Sequence, residues 1–193
     1  MPAVISSRKE QIAGIAQNLF REKGFSASSM RNIAREAGVE PASIYSHFKS
    51  KDHILKYICF RIANEFFEAQ EPVLNSMSNP VEKLKRLITE HIRVIIHNLD
   101  AATVFFMEWS YLKKPDLTEF VRMREKYEQG FRDVLHEGIA SGDFRMTDVN
   151  FTAHLLFSVM NGVHGWYKTS GKVAPDDAAE KMSEFILDGL TIK

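Results

Sequence analysis

Apolar residues recur along this chain at spacings of three and four, and nowhere in a sustained alternation of two, so the pattern is helical throughout. Ile12, Ile15, Ala16, Leu19 and Phe20 form a first stripe, with Ser6 or Ser7 placed to cap it and Lys23-Gly24 to end it. Met30, Ile33, Ala34 and Ala37 form a second, shorter stripe. Ser28 reads as its N-cap, Gly38 as the residue that stops it, and Val39 as the apolar residue that tucks back. Pro41 suits the first position of a third helix of one to two turns marked by Ile44, Tyr45 and Phe48. From Lys51 a longer helix is predicted through Ile54, Leu55, Ile58, Ile62, Phe66 and Phe67 to about Gln70, stopping ahead of Pro72. Asn79-Pro80 opens a fifth, with Val81, Leu84, Leu87, Ile88, Ile92, Ile95 and Leu99 inward. Residues 101–113 form a short aromatic helix closed by Pro115, and Asp116 caps the next, which runs to Ser141-Gly142. Residues 148–168 and 176–190 are the last two, separated by the polar loop Thr169 to Lys172. The expected fold is all-α, about nine helices.

Composition changes this picture little, but the distribution of charge changes it considerably. The 193 residues carry 25 Lys+Arg and 25 Asp+Glu, so the formal net charge is zero. Residues 1–51 nevertheless hold eight basic against four acidic side chains, and residues 52–193 hold seventeen against twenty-one. A positive head on a negative body is expected when only the head meets a polyanion. The single cysteine, Cys59, excludes an internal disulfide and a cysteine-rich metal site. There is no apolar leader at the N-terminus and no run near the roughly 18 apolar residues a membrane span needs, so a cytoplasmic chain without membrane attachment is expected.

Two short helices joined through a glycine turn, inside the basic head, read as a helix-turn-helix. In the second of them Ile44 and Phe48 share one face. That leaves Pro41, Ala42, Ser43, Tyr45, Ser46 and His47 free to approach base edges. The run GF-x-x-SSMRNIA-x-x-AGV-x-x-A-S-I-Y-x-HF-x-x-K, over roughly residues 8–56, resembles the N-terminal domain of TetR/AcrR-type transcriptional repressors. The resemblance implies a three-helix DNA-binding domain at residues 1–52 whose second short helix enters the major groove. Residues matching Ser28, Tyr45, His47 and Lys51 are implied to contact phosphates, and the whole expected DNA-binding set adds Ser29, Arg31, Pro41, Ala42, Ser43 and Ser46. Ser46 stands where a second aromatic is frequent and Ala42 where glycine is frequent; both bear on which operator is read.

Residues 53–193 resemble the family's helical ligand-binding and dimerisation domain. Within them EWSYL at Glu108 to Leu112, R-x-x-YE-x-x-FR at Arg124 to Arg132, GIASGDF at Gly138 to Phe144 and NGVHGWY at Asn161 to Tyr167 are similar to the branch that answers to acyl-CoA thioesters in fatty-acid or sterol-ring degradation. An acyl-CoA effector is what this implies. The residues themselves supply a surplus of large aromatics and methionines, and the expected ligand set is Phe105, Phe106, Trp109, Arg124, Tyr127, Phe131, Met160 and Trp166. Any one of these alone reads as ordinary core; only the set points to a pocket. Arg122, Arg124 and Lys126, with Lys113 and Lys114, either meet phosphates at its mouth or form a solvated helix face. Residues 151–167 are apolar on nearly every side, and with Met182, Phe185, Ile186 and Leu190 they form the expected homodimer surface.

Seven histidines invite a catalytic reading, but His91 and His97 are six apart and His154 and His164 ten apart, neither at zinc-binding helix spacing. No phosphate loop, nucleophile elbow or paired-carboxylate motif occurs. A His91–Glu108 acid–base pair is the one candidate, weighed against both being satisfied core residues. No enzyme activity, cofactor or metal is expected. The reading is a ligand-responsive repressor released from a palindromic operator on double-stranded DNA. A constitutive or activating regulator, and an acyl-CoA-binding protein with a vestigial head, stay open as alternatives.

Overall fold

The computed structural model describes residues 7–192. Among them are ten α-helices and one 3-10 turn: α1 (Arg8–Lys23), α2 (Met30–Glu36), α3 (Pro41–Tyr45), α4 (Lys51–Leu74), α5 (Pro80–His97), α6 (Leu99–Glu108), the turn Trp109–Tyr111, α7 (Asp116–Ser141), α8 (Val149–Asn161), α9 (Val163–Trp166) and α10 (Pro175–Leu190). The four-residue α9 continues α8 past Gly162, which keeps near-helical angles. The all-α expectation therefore holds, and among the described residues the only β pairing is one isolated bridge, Phe144 to Thr191.

The helix starts follow local chemistry. Ser7 caps α1 in a reciprocal box with Glu10, while Ser6 lies outside the described residues. Asn79 caps α5 by accepting from the Glu82 amide at 2.9 Å. Two expectations are corrected. The cap of α2 is Ser29, boxed with Asn32, and not Ser28, which is buried with its hydroxyl turned inward. And α4 does not stop ahead of Pro72 but runs through it to Leu74. Proline there removes one amide in the last turn, where Glu68 is an exposed residue and Val73 is anchored in the core, so the loss is small.

The chain divides into two compact units. The first takes residues 1–62 and 100–120, the second residues 63–99 and 121–193. In the first, Ile12, Ala16 and Phe20 of α1, Ile33 of α2, Ile44 and Phe48 around α3, and Ile54, Leu55 and Ile58 of α4 are almost wholly buried. Residues 100–120 belong to this unit by ion pairs as well as apolar packing: Arg21 to Asp100 at 3.1 Å, Lys113 to Asp52 at 3.1 Å and Lys56 to Asp116 at 2.7 Å. The second unit is built on α5, which packs against α8, α9 and α10. Gly138 of α7 is required by a close approach: a Cβ there would sit 2.1 Å from the Phe144 ring. Beyond that ring, Arg145 N donates to Leu190 O at 2.9 Å and ties the loop after α7 to the chain's end.

Candidate nucleic-acid interface and effector site

The helix-turn-helix geometry is set at the turn. Gly38 takes φ +62°, and its amide and that of Val39 donate to the carbonyls of Arg35 and Ala34, the paired bonds of a Schellman motif. α3 is then a single turn from Pro41 to Tyr45, shorter than a run to Phe48, with Ser46 Oγ closing its end on Ser43 O at 2.7 Å. Ile44 and Phe48 are fully buried, so Pro41, Ala42, Ser43, Tyr45 and Ser46 are exposed and His47 is half-buried. Small side chains at the start of a short, rigidly anchored helix leave room for base edges to come close. Ser29 and Arg31 are exposed at the start of α2.

Ser28 and Lys51 are placed differently from those residues. The Ser28 hydroxyl donates to Gly24 O at 2.9 Å, inside the head. The Lys51 ammonium lies in a ring of loop carbonyls, donating to Phe25 O at 2.6 Å and Ser28 O at 2.8 Å, with Ser26 O at 3.5 Å. It also stands 4.1 Å from the centre of the Phe25 ring. Both residues therefore hold the loop that delivers Ser29 to the start of α2.

Of the expected ligand residues, Phe105, Phe106 and Trp109 belong to the first unit and Arg124, Tyr127, Phe131, Met160 and Trp166 to the second. In the first unit Phe105 meets Phe106 and Phe120 at 5.0 and 5.1 Å, and Trp109 stacks on Phe120 at 6.1 Å. Tyr111 packs on Phe25. In the second unit Tyr127 and Phe131 are buried together, Phe157 packs on both, and Met160 is fully buried. Arg124 is half-buried near Glu128, and Trp166 is 54% exposed on α9. An open cleft of about 650 Å³ between α4 and α7 in this unit is lined by Phe67, Gln70, Lys126, Gln129 and their neighbours, and by none of the expected ligand residues.

Sequence reasoning missed the polar chain at the centre of the second unit's aromatic cluster. His91 of α5 accepts from the Tyr127 hydroxyl at Nδ1, 3.0 Å, and donates from Nε2 to Asn161 Oδ1, 2.9 Å, which fixes its neutral tautomer. Phe66 stacks on the imidazole at 4.6 Å, and Phe131 and Phe157 close around it. Burial pushes the His91 pKa down to about 4, against the opposing pull of the Asn161 bond, and the same burial raises that of Tyr127. Both ring nitrogens of His91 are thus taken, and Glu108 is a residue of the first unit. There Glu108 adds to the burial that raises Cys59 to about 12, leaving that thiol an inert core residue. Among the described residues no cluster of His, Cys, Asp and Glu suits a metal ion, and no helix is long and apolar enough to cross a membrane.

A basic helix-turn-helix head with an all-α second unit defines a class of bacterial transcription regulators. The chain belongs to the TetR family: residues 15–58 match "Bacterial regulatory proteins, tetR family" and residues 77–190 match "Tetracyclin repressor-like, C-terminal domain". It is similar to the HTH-type transcriptional repressor KstR2 of Mycolicibacterium smegmatis, 27% identical over 192 residues that cover 98% of this chain and 94% of that one. The structure of the ketosteroid transcriptional regulator KstR2 of Mycobacterium tuberculosis superposes with a TM-score of 0.93 at 24% identity, covering 98% and 97% of the two chains. AibR, solved with isovaleryl coenzyme A and operator DNA, superposes at 0.81 with 20% identity, covering 93% and 97%.

Proposed function

We propose that this protein is a dimeric repressor that leaves a palindromic operator when an acyl-CoA thioester binds its second unit. The observation that carries the DNA reading is the head: a Schellman turn and two fully buried anchors, Ile44 and Phe48, present four side chains of α3 and that of Ser46 after it outward. Ser43, Ser46 and Ala42 read bases, and Ser29, Arg31, Tyr45 and His47 meet phosphates. Residues 1–52 are the DNA-binding domain and 53–193 the effector and dimer domain. Two-fold pairing through α8 and α10 is supported by the outward apolar row Phe151, Leu155 and Val159 and by Phe185, which is 77% exposed. The acyl-CoA reading is supported by AibR, which holds isovaleryl coenzyme A, and by the aromatic shell of Phe131, Tyr127, Phe157 and Met160.

Selection from random DNA, followed by fluorescence anisotropy on the selected duplex, tests the reading. An inverted repeat with half-site centres about one helical turn or a multiple apart is expected. Recovery of unrelated asymmetric sequences would overturn the repressor reading. Operator affinity unchanged at saturating acyl-CoA, with binding of the thioester shown by calorimetry, would discard the switch and leave the site.

A further inference from the structure

Phe25 is the hub of the loop between α1 and α2. Its ring is 5% exposed and packs edge-on against Phe20 at 5.2 Å, which anchors it to α1. The Lys51 ammonium stands 4.1 Å from the ring centre and bonds the residue's own carbonyl at 2.6 Å. The remaining side is met by Tyr111 of the 3-10 turn, ring centres 5.2 Å apart, in the same compact unit. Tyr111 is 46% exposed and its hydroxyl has no partner among the described residues, so what it offers this unit is its ring.

We infer that Tyr111 is a positioning residue for DNA binding: it holds Phe25, and through Phe25 and the carbonyls on Lys51 it fixes Ser29 and the exposed start of α2 before DNA arrives. This rests on the DNA-binding reading above. Ser29 lies four residues from Phe25, and Lys51 bonds the carbonyl of Phe25 and that of Ser28, the residue just before Ser29. A loop left mobile must be ordered on binding, and that ordering subtracts from affinity. Loss of the ring pair should lower operator affinity by about two- to tenfold. Tyr111 touches no phosphate in this scheme, so the number of counterions released is unchanged.

The test is operator binding by anisotropy over a series of salt concentrations for the full chain and for Tyr111→Phe, Tyr111→Leu and Tyr111→Ala. Tyr111→Phe retains the ring and should retain affinity. Tyr111→Leu and Tyr111→Ala should both weaken binding, with salt slopes parallel to that of the parent chain. Full affinity in Tyr111→Leu, or a flattened slope in any variant, would overturn the inference. If Tyr111→Ala fails to fold, Tyr111→Leu against Tyr111→Phe decides. Failure of the parent chain itself to bind any duplex is a different result and removes the DNA-binding reading.

Discussion

Acidification should destabilise this protein through His91. Its imidazole is held neutral between a Tyr127 hydroxyl and an Asn161 carbonyl oxygen, with its pKa lowered to about 4 from an ordinary 6.5. The folded pKa lies below the unfolded one, so between those values the unfolded chain binds a proton that the folded chain refuses. Stability is therefore full above pH 6.5 and falls as pH drops toward 4. Those two pKa values give a loss of about 2 kcal/mol between pH 7 and pH 5, and about 3 kcal/mol by pH 4. Urea unfolding at fixed protein concentration, with the parent chain and His91→Gln measured side by side, isolates this residue from the six other histidines and the carboxylates. Gln has no proton to gain, so its curve should lack about 2 kcal/mol of the drop. Carbon-edited NMR gives an independent check, since the His91 ring signal should stay unshifted down to pH 5. A His91 signal titrating near 6.5, or equal acid sensitivity in the two proteins, would refute the argument.

Gly138→Ala should destabilise by about 1–3 kcal/mol in urea unfolding, because the added methyl collides with the Phe144 ring and overpacks a fixed contact. Arg31→Ala should weaken binding to all duplexes alike and reduce the salt slope by about one, whereas Ser46→Ala should change base preference and leave the slope alone; anisotropy over salt and sequence separates the two. Phe151→Asp combined with Phe185→Asp should convert a two-fold dimer to monomer by light scattering, since it places charge on the exposed apolar faces of α8 and α10.

The head was legible because its determinants are local. Gly38 stops α2 and Pro41 starts α3 within four residues, and the burial of Ile44 and Phe48 follows from helical spacing alone. Where the reading slipped by one residue, at the cap of α2, two adjacent serines were equally able to cap. Only the inward carbonyls of Gly24 and Leu19 decide that Ser28 turns away. Lys51 shows the same limit, since its partners lie 23 to 26 residues back in the chain and no spacing rule reaches them. Pro72 misled for the opposite reason: the rule that helices end before proline is an interior rule, and this proline sits in the last turn of its helix, where one backbone bond is lost.

The second unit was legible as helices but not as a site, because its chemistry is assembled from residues 36 and 70 positions apart. Aromatic count pointed toward Tyr127 and Phe131, yet it said nothing of the polar chain they enclose. That chain restricts how an effector can act. A ligand that displaces the Tyr127 hydroxyl without replacing it leaves His91 Nδ1 buried and unpaired, at a cost of about 1–3 kcal/mol. Allosteric coupling is itself typically 1–3 kcal/mol, so such a ligand would spend the whole of its differential affinity on the lost bond. An effector that switches this protein through the aromatic shell must therefore leave the Tyr127–His91–Asn161 chain intact or offer His91 a donor of its own. Tyr127→Phe removes the donor in advance. It should destabilise the unliganded fold by that same 1–3 kcal/mol and tighten the binding of purely apolar ligands that would otherwise have had to break the bond. Unchanged stability in Tyr127→Phe would show that the hydroxyl is not what satisfies His91, and the restriction on the effector would fall with it.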